Sequence, residues 1–343
     1  MFSTYGVLLL SAAVAFLITP VSKYLAGKWK ILDFPDGRKI HKTAVPRLGG
    51  MAVFLSFLLA LGRVSFVSPA LKGIILGALL IVLIGVIDDI VGLGAKLKLA
   101  GQILAALILI HQGVVLSFFS ATFWGRLAAV TLTVIWLVGV TNGLNFLDGL
   151  DGLAAGLAAI AGLSFLLIAL KTNQLFFGLA SAALLGSCLG FLPYNFHPAR
   201  IFLGDSGSTF LGFILAALAI MGGWAEDNPL IAIGTPLVIL GIIVFDLIYI
   251  TVSRIGRHKV KNFWQWIDYV GKDHFHHRLL NLGFSQRQTV CAIYSIGIYL
   301  GINGIILNGA GAQWVMPVFT QAVLMLILVT ILMNVGLRRG DEL

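Results

Sequence analysis

About eleven apolar runs, most of them near the length of a membrane-crossing helix, divide this chain. They lie at 3–22, 48–67, 70–87, 98–115, 127–144, 152–170, 174–193, 208–223, 229–251, 289–307 and 313–336. The hydrocarbon core of a bilayer is ~30 Å thick and takes ~20 helical residues to cross. A backbone placed there must satisfy its own hydrogen bonds, which leaves helices or a closed barrel. The expected fold is therefore an all-α, polytopic integral membrane bundle of about eleven transmembrane helices. Charged residues are only 11% of the 343, with 59% hydrophobic. A soluble domain carries about 25% charged residues, so a water-exposed globule is excluded. The first run contains Ala13-Val14-Ala15, a cleavage-like triplet, yet no basic residue precedes it, and an uncleaved helix is expected. One transmembrane domain over 1–343 is the economical organisation. Cys188 and Cys291 both fall inside apolar runs and read as packing residues.

Charge sets the topology. Eleven crossings with the N-terminus outside place the loops near 23–47, 88–97, 145–151, 194–207 and 252–288, and the C-terminus, on one face. That face holds all of the 23 Lys and Arg except Arg63, Lys72, Arg126 and Lys171. By the positive-inside rule it is cytoplasmic. The formal charge of +9 is then a topology and lipid-headgroup signal, and no nucleic-acid partner is expected, since no basic domain is predicted outside the membrane. The segment 252–288 is too long for a simple turn and is a candidate functional loop.

Acidic residues number 14, and several sit in glycine-punctuated stretches beside apolar runs on that same face. A carboxylate near hydrocarbon costs roughly 2.5–3.5 kcal/mol on insertion scales and is usually retained for ions, protons or substrates. Asp88 and Asp89 end one run, with Lys98 opening the next. Two adjacent carboxylates are costly to ionise together without a cation nearby; the plain alternative is a helix-end pair held by Lys96 or Lys98. Asn142, Asn145, Asp148 and Asp151 recur every third residue, and on a helix the last three would share a face about 120° wide. Gly143, Gly149 and Gly152 allow that segment to leave helical geometry. Such oxygens suit a hard cation and its phosphate ligands; the alternative is a capped helix terminus. Leu203-Gly204-Asp205-Ser206-Gly207-Ser208 opens another run with glycines and helix amides suited to an anion, or Asp205 simply caps a helix. Asn195 lies ten residues earlier.

In the long loop, His274, His276, His277 and Arg278 crowd together. Imidazole clusters often hold zinc, but the flanking Lys272 and Arg278 favour an anion. His41 and Arg47, followed by Gly49 and Gly50, form a further candidate anion contact. Asp246, near the inner end of 229–251, reads as a neutraliser of a nearby Arg or Lys.

Taken in order, HKTAVPRLGG (41–50), Asp88-Asp89 with Lys98, TNGLNFLDGLDGLAAG (141–156), Asn195 with GDSGS, and HFHHRLL (274–280) resemble the polyprenyl-phosphate N-acetylhexosamine-1-phosphate transferase family. The resemblance runs from His41 to Arg278. It implies a multi-pass enzyme of the plasma membrane, Mg²⁺-dependent with Mn²⁺ as a substitute, whose site faces the cytoplasm. The implied reaction moves GlcNAc-1-phosphate from UDP-GlcNAc to undecaprenyl phosphate and releases UMP. Within it, Asp88, Asp89 and Lys98 are implied as catalytic, Asp205 and Asn145 as metal ligands. Asn142, Asp148, Asp151, Asn195, His41, Arg47, His274, His276, His277 and Arg278 are implied to bind substrate. HFHHR and HKTAVPRLGG look like the GlcNAc branch, which starts O-antigen, enterobacterial common antigen (lipopolysaccharide-type) or wall teichoic acid synthesis. The phospho-MurNAc-pentapeptide branch usually shows a KxGTPTMGG-like first loop instead. A secondary transporter is the rival from another class, but transporters tend to show internal repeats and midplane sites. Prenyl chain length, downstream pathway, sugar epimer and oligomeric state stay open at this level, a homodimer among the options.

Overall fold

The structure, a computed structural model, describes residues 3–35, 43–62, 64, 67–224, 228–269, 271, 273–309 and 312–341. It is helical almost throughout and consists of two compact units, Met1–Gly222 and Gly223–Leu343.

The first unit runs α1 (Thr4–Lys28), a two-residue antiparallel pair β1 (Leu32–Asp33) and β2 (Val45–Pro46), then α2 (Gly49–Leu61), α3 (Pro69–Val91), α4 (Ala95–His111), α5 (Phe123–Leu147), α6 (Leu153–Lys171), α7 (Leu175–Asn195) and α8 (Gly204–Met221). Helix starts follow local chemistry. Ser3, Ser68 and Thr122 cap α1, α3 and α5 through their hydroxyls, and Pro69 sits at the first turn of α3, where its missing N–H costs nothing. Helices α6, α7 and α8 are mostly buried inside the protein, whereas α1 exposes most of its apolar surface. Lipid takes the place of water around that surface, so exposed Leu9, Leu17 and Tyr24 are no anomaly.

Helix α8 forms the core of this unit, packed against α2, α3 and α5. Its first turn can lie that deep because its neighbours bring no side chain there. A Cβ on Gly50 would collide with the Gly207 backbone, and one on Gly85 with that of Ser206. Phe210, one turn further, meets Phe54 and Phe57 edge-on at 5.6 and 5.5 Å.

The second unit holds α9 (Pro229–Ile239), α10 (Gly241–Gly256), the short α11 (Phe263–Asp268) and α12 (Phe275–Asn281), α13 (Gln286–Asn308) and α14 (Ala312–Asp341). The run 229–251 is not one straight helix: α9 and α10 meet at Leu240 with a bend of 82°. Pro236 inside α9 and Gly241 at the start of α10 are what weaken the helix there.

The chain is a multi-pass membrane protein, with fewer full-length spans than the eleven expected. Among the described residues eight helices are long and apolar enough to cross, or nine with the bent pair as one span. The runs at 48–67 and 98–115 did become helices, but α2 has 13 residues and α4 has 17. At 1.5 Å per residue these reach only about 20 and 25 Å, short of the hydrocarbon core.

Candidate active site

Four helix ends meet in the first unit: the C-terminus of α3, the N-terminus of α4, the C-terminus of α5 and the N-terminus of α8. Asp205, in the first turn of α8, joins them. Its Oδ1 accepts from Arg47 Nη2 at 2.9 Å and from Asn145 Nδ2 at 3.2 Å, and its Oδ2 accepts from Lys98 Nζ at 3.0 Å. Lys98 also donates to Asp88 Oδ2 at 2.9 Å, while Asp88 Oδ1 accepts the Leu93 N–H at 2.6 Å. Asn145 donates in addition to Ser208 Oγ at 2.8 Å. The side chains of Asp205, Lys98 and Arg47 keep 19%, 29% and 31% of their surface exposed, so this cluster is open to a ligand.

Asp89 is different, with its side chain entirely buried. It accepts the backbone N–H of Asp205 at 2.8 Å and of Ser206 at 3.1 Å, and the Ser206 hydroxyl at 2.7 Å. Arg47 Nε lies 3.0 Å from it. Helix α8 has no side-chain cap of its own at Leu203, and a carboxylate from α3 supplies one in trans, where the helix dipole also favours a negative charge. Gly204 permits this: its φ is +73°, and a Cβ there would strike the Asp89 carboxylate. Burial works to lower the pKa of Arg47, but the carboxylates of Asp205 and Asp89 outweigh it and hold it raised.

The polar repeat at the end of α5 splits. The helix stops at Leu147, Asp148 is its terminal residue, and Gly152 turns left-handed at φ +80°. The common helical face expected for Asn145, Asp148 and Asp151 is therefore lost, and only Asn145 bonds Asp205. Asn142 exchanges amide hydrogen bonds with Gln102 at 2.6 and 3.1 Å, joining α4 to α5. Asp151 holds the next loop, accepting from the Ala199 N–H at 3.1 Å and pairing with His197 Nδ1 at 2.7 Å. Asn195 donates to the Ile201 carbonyl at 3.0 Å within that loop. Asp148 remains beside the cluster: burial pushes its carboxyl well above the usual range, and nearby Asp205 pushes it further. His41 lies outside the described residues.

In the second unit α12 packs on α13 and α14, and side chains of α10 bond the residues just before it. Asp246 on α10 pairs with His274 Nδ1 at 2.8 Å and accepts the Phe275 N–H at 2.8 Å. It therefore serves a histidine and a helix start, not the Arg or Lys expected. Arg254, two turns along α10, forks onto both oxygens of Asp273 at 2.8 and 2.7 Å and lies over the Tyr269 ring at 4.6 Å. Burial would raise the Asp273 carboxyl, but the Arg254 guanidinium holds it below the usual range. Arg278 donates from Nε to the Asp273 carbonyl at 3.2 Å. His276 stands out. It is 1% exposed, and neither ring nitrogen has a hydrogen-bond partner among the described residues. Burial, with His277 and His274 adding, keeps its imidazole well below its ordinary pKa and therefore neutral.

Residue patterns missed several participants. Gln102 lies four residues after Lys98 on α4, and Arg254 eight after Asp246 on α10; each spacing puts a pair on one helix face and was a signal. Asp33, 4.0 Å from Arg47, and His197 carried none.

Among the described residues no three His, Cys, Asp or Glu side chains converge into a ready metal cage. The charge balance still suits a divalent cation. Among the described residues, Asp88, Asp89, Asp148 and Asp205 gather around Arg47 and Lys98, and the two oxygens of Asp205 are held by cations that a metal would have to share or replace.

The family model for glycosyl transferase family 4 matches residues 71–223. A Bacillus subtilis (strain 168) protein named "Probable undecaprenyl-phosphate N-acetylglucosaminyl 1-phosphate transferase" is 36% identical over 311 residues, covering 88% of this chain and 84% of its own length. A decaprenyl-phosphate N-acetylglucosaminephosphotransferase of Mycobacterium tuberculosis (strain ATCC 25618 / H37Rv) is 33% identical, covering 97% and 89%. A phospho-N-acetylmuramoyl-pentapeptide-transferase of Desulforudis audaxviator (strain MP104C) is 30% identical, covering 88% and 99%.

Proposed function

This chain belongs to glycosyl transferase family 4, with the prenyl-phosphate N-acetylglucosamine-1-phosphate transferases among its relatives, and on that premise we propose that it transfers GlcNAc-1-phosphate from UDP-GlcNAc to undecaprenyl phosphate. The observation that carries this reading is the bonded set of Asp88, Lys98, Asn145 and Asp205 at the ends of four helices, joined by Arg47. Two anionic phosphates have to meet in such a reaction, and phosphoryl transfer asks the protein mainly for positioning and charge stabilisation.

Chemically, an oxygen of the lipid phosphate attacks the β-phosphorus of UDP-GlcNAc. The new O–P bond forms as the bond from that phosphorus to the bridging oxygen breaks, and UMP leaves with the electron pair. The second pKa of a phosphate lies near 6, so its dianion is abundant at neutral pH and a strong base is unnecessary. Asp88 orients the attacking oxygen or accepts its residual proton. Lys98 offsets charge between the carboxylates and the incoming phosphates, and Arg47 does so from the other side of Asp205. Asp89 acts by positioning, since its oxygens are committed to the start of α8.

Bound Mg²⁺, or Mn²⁺ in its place, would supply charge neutralisation to the diphosphate. Asp205 and Asn145 are the proposed holders, and the surplus of carboxylates, with Asp148 beside Asp205, supports that assignment. In the second unit, His276, His277 and Arg278 are the groups suited to an anionic substrate such as a diphosphate. The proposed orientation has the N-terminus outside and the carboxylate cluster at the cytoplasmic face of the plasma membrane, as the distribution of Lys and Arg favours.

The test is transfer of radiolabelled sugar phosphate from UDP-GlcNAc into lipid by purified protein, with and without Mg²⁺. Label should enter the lipid only with the metal, and UMP should appear in equal amount. A second arm offers UDP-MurNAc-pentapeptide in competition. Preferred use of the pentapeptide would assign the chain to the other branch, and no transfer from either donor would sink the reading.

A further inference from the structure

A second candidate site lies in the first unit, and none of the residues of the carboxylate cluster lines it. It is a groove of about 750 Å³ between the last two turns of α1, β2 and the loop after α7. Pro20, Lys23, Tyr24, Gly27 and Lys28 form its α1 wall, at the i, i+3, i+4, i+7, i+8 spacing of one helix face. Arg200, Tyr194 and Pro46 close it. Among the described residues, three of the lining side chains are cationic and none is acidic. Lys23, Lys28 and Arg200 are exposed and form no ion pair among the described residues. Gly27 lies between the two lysines, and a Cβ there would meet nothing within 4 Å, so the groove has an open floor.

Its depth in the bilayer can be estimated. Helix α1 has 25 residues, about 37 Å at 1.5 Å per residue, against a hydrocarbon core of ~30 Å. The last turns of α1 therefore reach the headgroup layer. Exposed Tyr24 and Trp29 at that end match the aromatic belt of a membrane–water boundary. The lysine stems can lie along apolar surface while their ammonium groups stay among headgroups.

We propose that this groove binds the phosphate headgroup of an anionic glycerophospholipid from the surrounding leaflet. The charge is complementary, the volume suits a headgroup, and among the described residues no carboxylate lines the groove to take part in phosphoryl transfer, which separates it from the substrate cluster. The position also gives the lipid a handle on that cluster. Pro46 lines the groove, its carbonyl accepts the Phe202 N–H at 2.8 Å, and the next residue is Arg47, which reaches Asp205 and Asp89. The loop wall is tied down as well: the Tyr194 hydroxyl donates to the Phe16 carbonyl at 3.1 Å, and the Arg200 N–H to the Tyr194 carbonyl at 2.8 Å. A headgroup held there fixes β2 and, through it, Arg47.

The test is retention of phosphatidylglycerol by the purified full chain in native mass spectrometry, with phosphatidylcholine and inorganic phosphate as comparators, and it needs no catalytic activity. Wild-type protein should keep phosphatidylglycerol over phosphatidylcholine. Arg200→Gln should weaken retention roughly fivefold, as expected for one cation at a membrane surface, and the triple change with Lys23→Gln and Lys28→Gln by more than about tenfold. Gly27→Trp keeps every charge but fills the floor, and should lower retention comparably; Lys171→Gln, at the end of α6, should not. Equal retention of the two lipids, or wild-type retention by both the triple variant and Gly27→Trp, would overturn the proposal. So would displacement of phosphatidylglycerol by equimolar inorganic phosphate, which would mark a free-anion site, or by equimolar undecaprenyl phosphate, which would mark a carrier-lipid site.

Discussion

The two units solve opposite electrostatic problems. Around Asp205, carboxylates outnumber cations, and the set is assembled from four helix ends that are distant in sequence. Around His276, imidazoles and guanidiniums outnumber carboxylates, and one helix, α10, bonds the start of the His-rich segment through Asp246 and Arg254. The first cluster is partly exposed and its charges are shared between partners; the second is buried, with Asp246 bonded to the His274 ring and the Phe275 N–H and Asp273 to Arg254. A shared, open cluster can exchange protein partners for ligand. A matched, buried pair cannot be broken without loss of fold. The first arrangement is therefore suited to chemistry and the second to presenting a loop.

The largest effect should come from Asp205→Ala. It removes the one carboxylate shared by Arg47, Lys98 and Asn145, and transfer should fall by at least about 10³-fold, the scale on which a preorganised electrostatic group acts. Thermal unfolding should stay near wild type, because Asp89 still caps α8. Metal-dependent turnover retained in that variant would rule Asp205 out as metal ligand.

Next is Arg254→Met, which leaves Asp273 buried and unpaired and should cost about 3–5 kcal/mol. Pairing it with Asp273→Leu should recover most of that loss of stability in a double-mutant cycle. The same design at Lys98 and Asp88 should recover no transfer activity. If both pairs behave alike, the contrast between a chemical and a structural cluster fails.

Much of this was legible before any coordinates. Every apolar run became helix, because a 20-residue hydrophobic stretch has few other ways to satisfy its backbone in lipid. Asp88, Lys98, Asn145 and Asp205 were identifiable as polar residues beside apolar runs at one membrane face, and Arg47 as a candidate anion contact in the first loop, and all five are bonded together. What periodicity could not carry was pairing across long separations. Lys98 reaches Asp205 over 107 residues, and Asp89 caps a helix 116 residues away. The bend at Leu240 was hidden because Pro236 and Gly241 read equally well as ordinary small or kinking residues within one span. Asp148 and Asp151 would share a helix face with Asn145 only if α5 continued, but it ends at Leu147, the departure from helical geometry that the glycines allow. Asp246 was read as a partner for a long cation because local sequence does not reveal a histidine arriving from a loop 28 residues on.

A smaller effect is expected at Asp246. Asp246→Asn keeps an acceptor for the Phe275 N–H but loses the charge that orients His274. A hydrogen bond to a charged group contributes about 1.5–3 kcal/mol, so KM for UDP-GlcNAc should rise roughly tenfold, with kcat changed much less. Asp246→Glu should restore part of the loss. An equal fall in kcat with KM unchanged would give Asp246 a role in the chemical step, and the two clusters would no longer divide binding from reaction.

The smallest effect separates two buried groups of the loop, His276 and Asp273, by pH. Burial holds the His276 imidazole well below its ordinary pKa in the folded protein, so the folded state resists protonation there. An unfolded chain takes up that proton near pH 6.5. Below that pH the unfolded state binds more protons, and stability falls as pH falls, by up to about 1.4 kcal/mol per pH unit while the folded imidazole remains neutral. Asp273 acts in a different window. Its folded pKa is depressed by Arg254, so its contribution is fully present above the unfolded value of about 3.9 and is lost only as pH drops through the folded value. Between pH 5 and 6.5 His276 therefore contributes to the slope and Asp273 does not. His276→Phe should flatten the dependence of protease resistance of the 257–280 loop on pH in that window, while leaving the steeper loss below about pH 4 in place. If His276→Phe keeps the wild-type slope between pH 5 and 6.5, the imidazole is already protonated in the folded loop, and the buried cluster carries a positive charge that its lack of hydrogen-bond partners argues against.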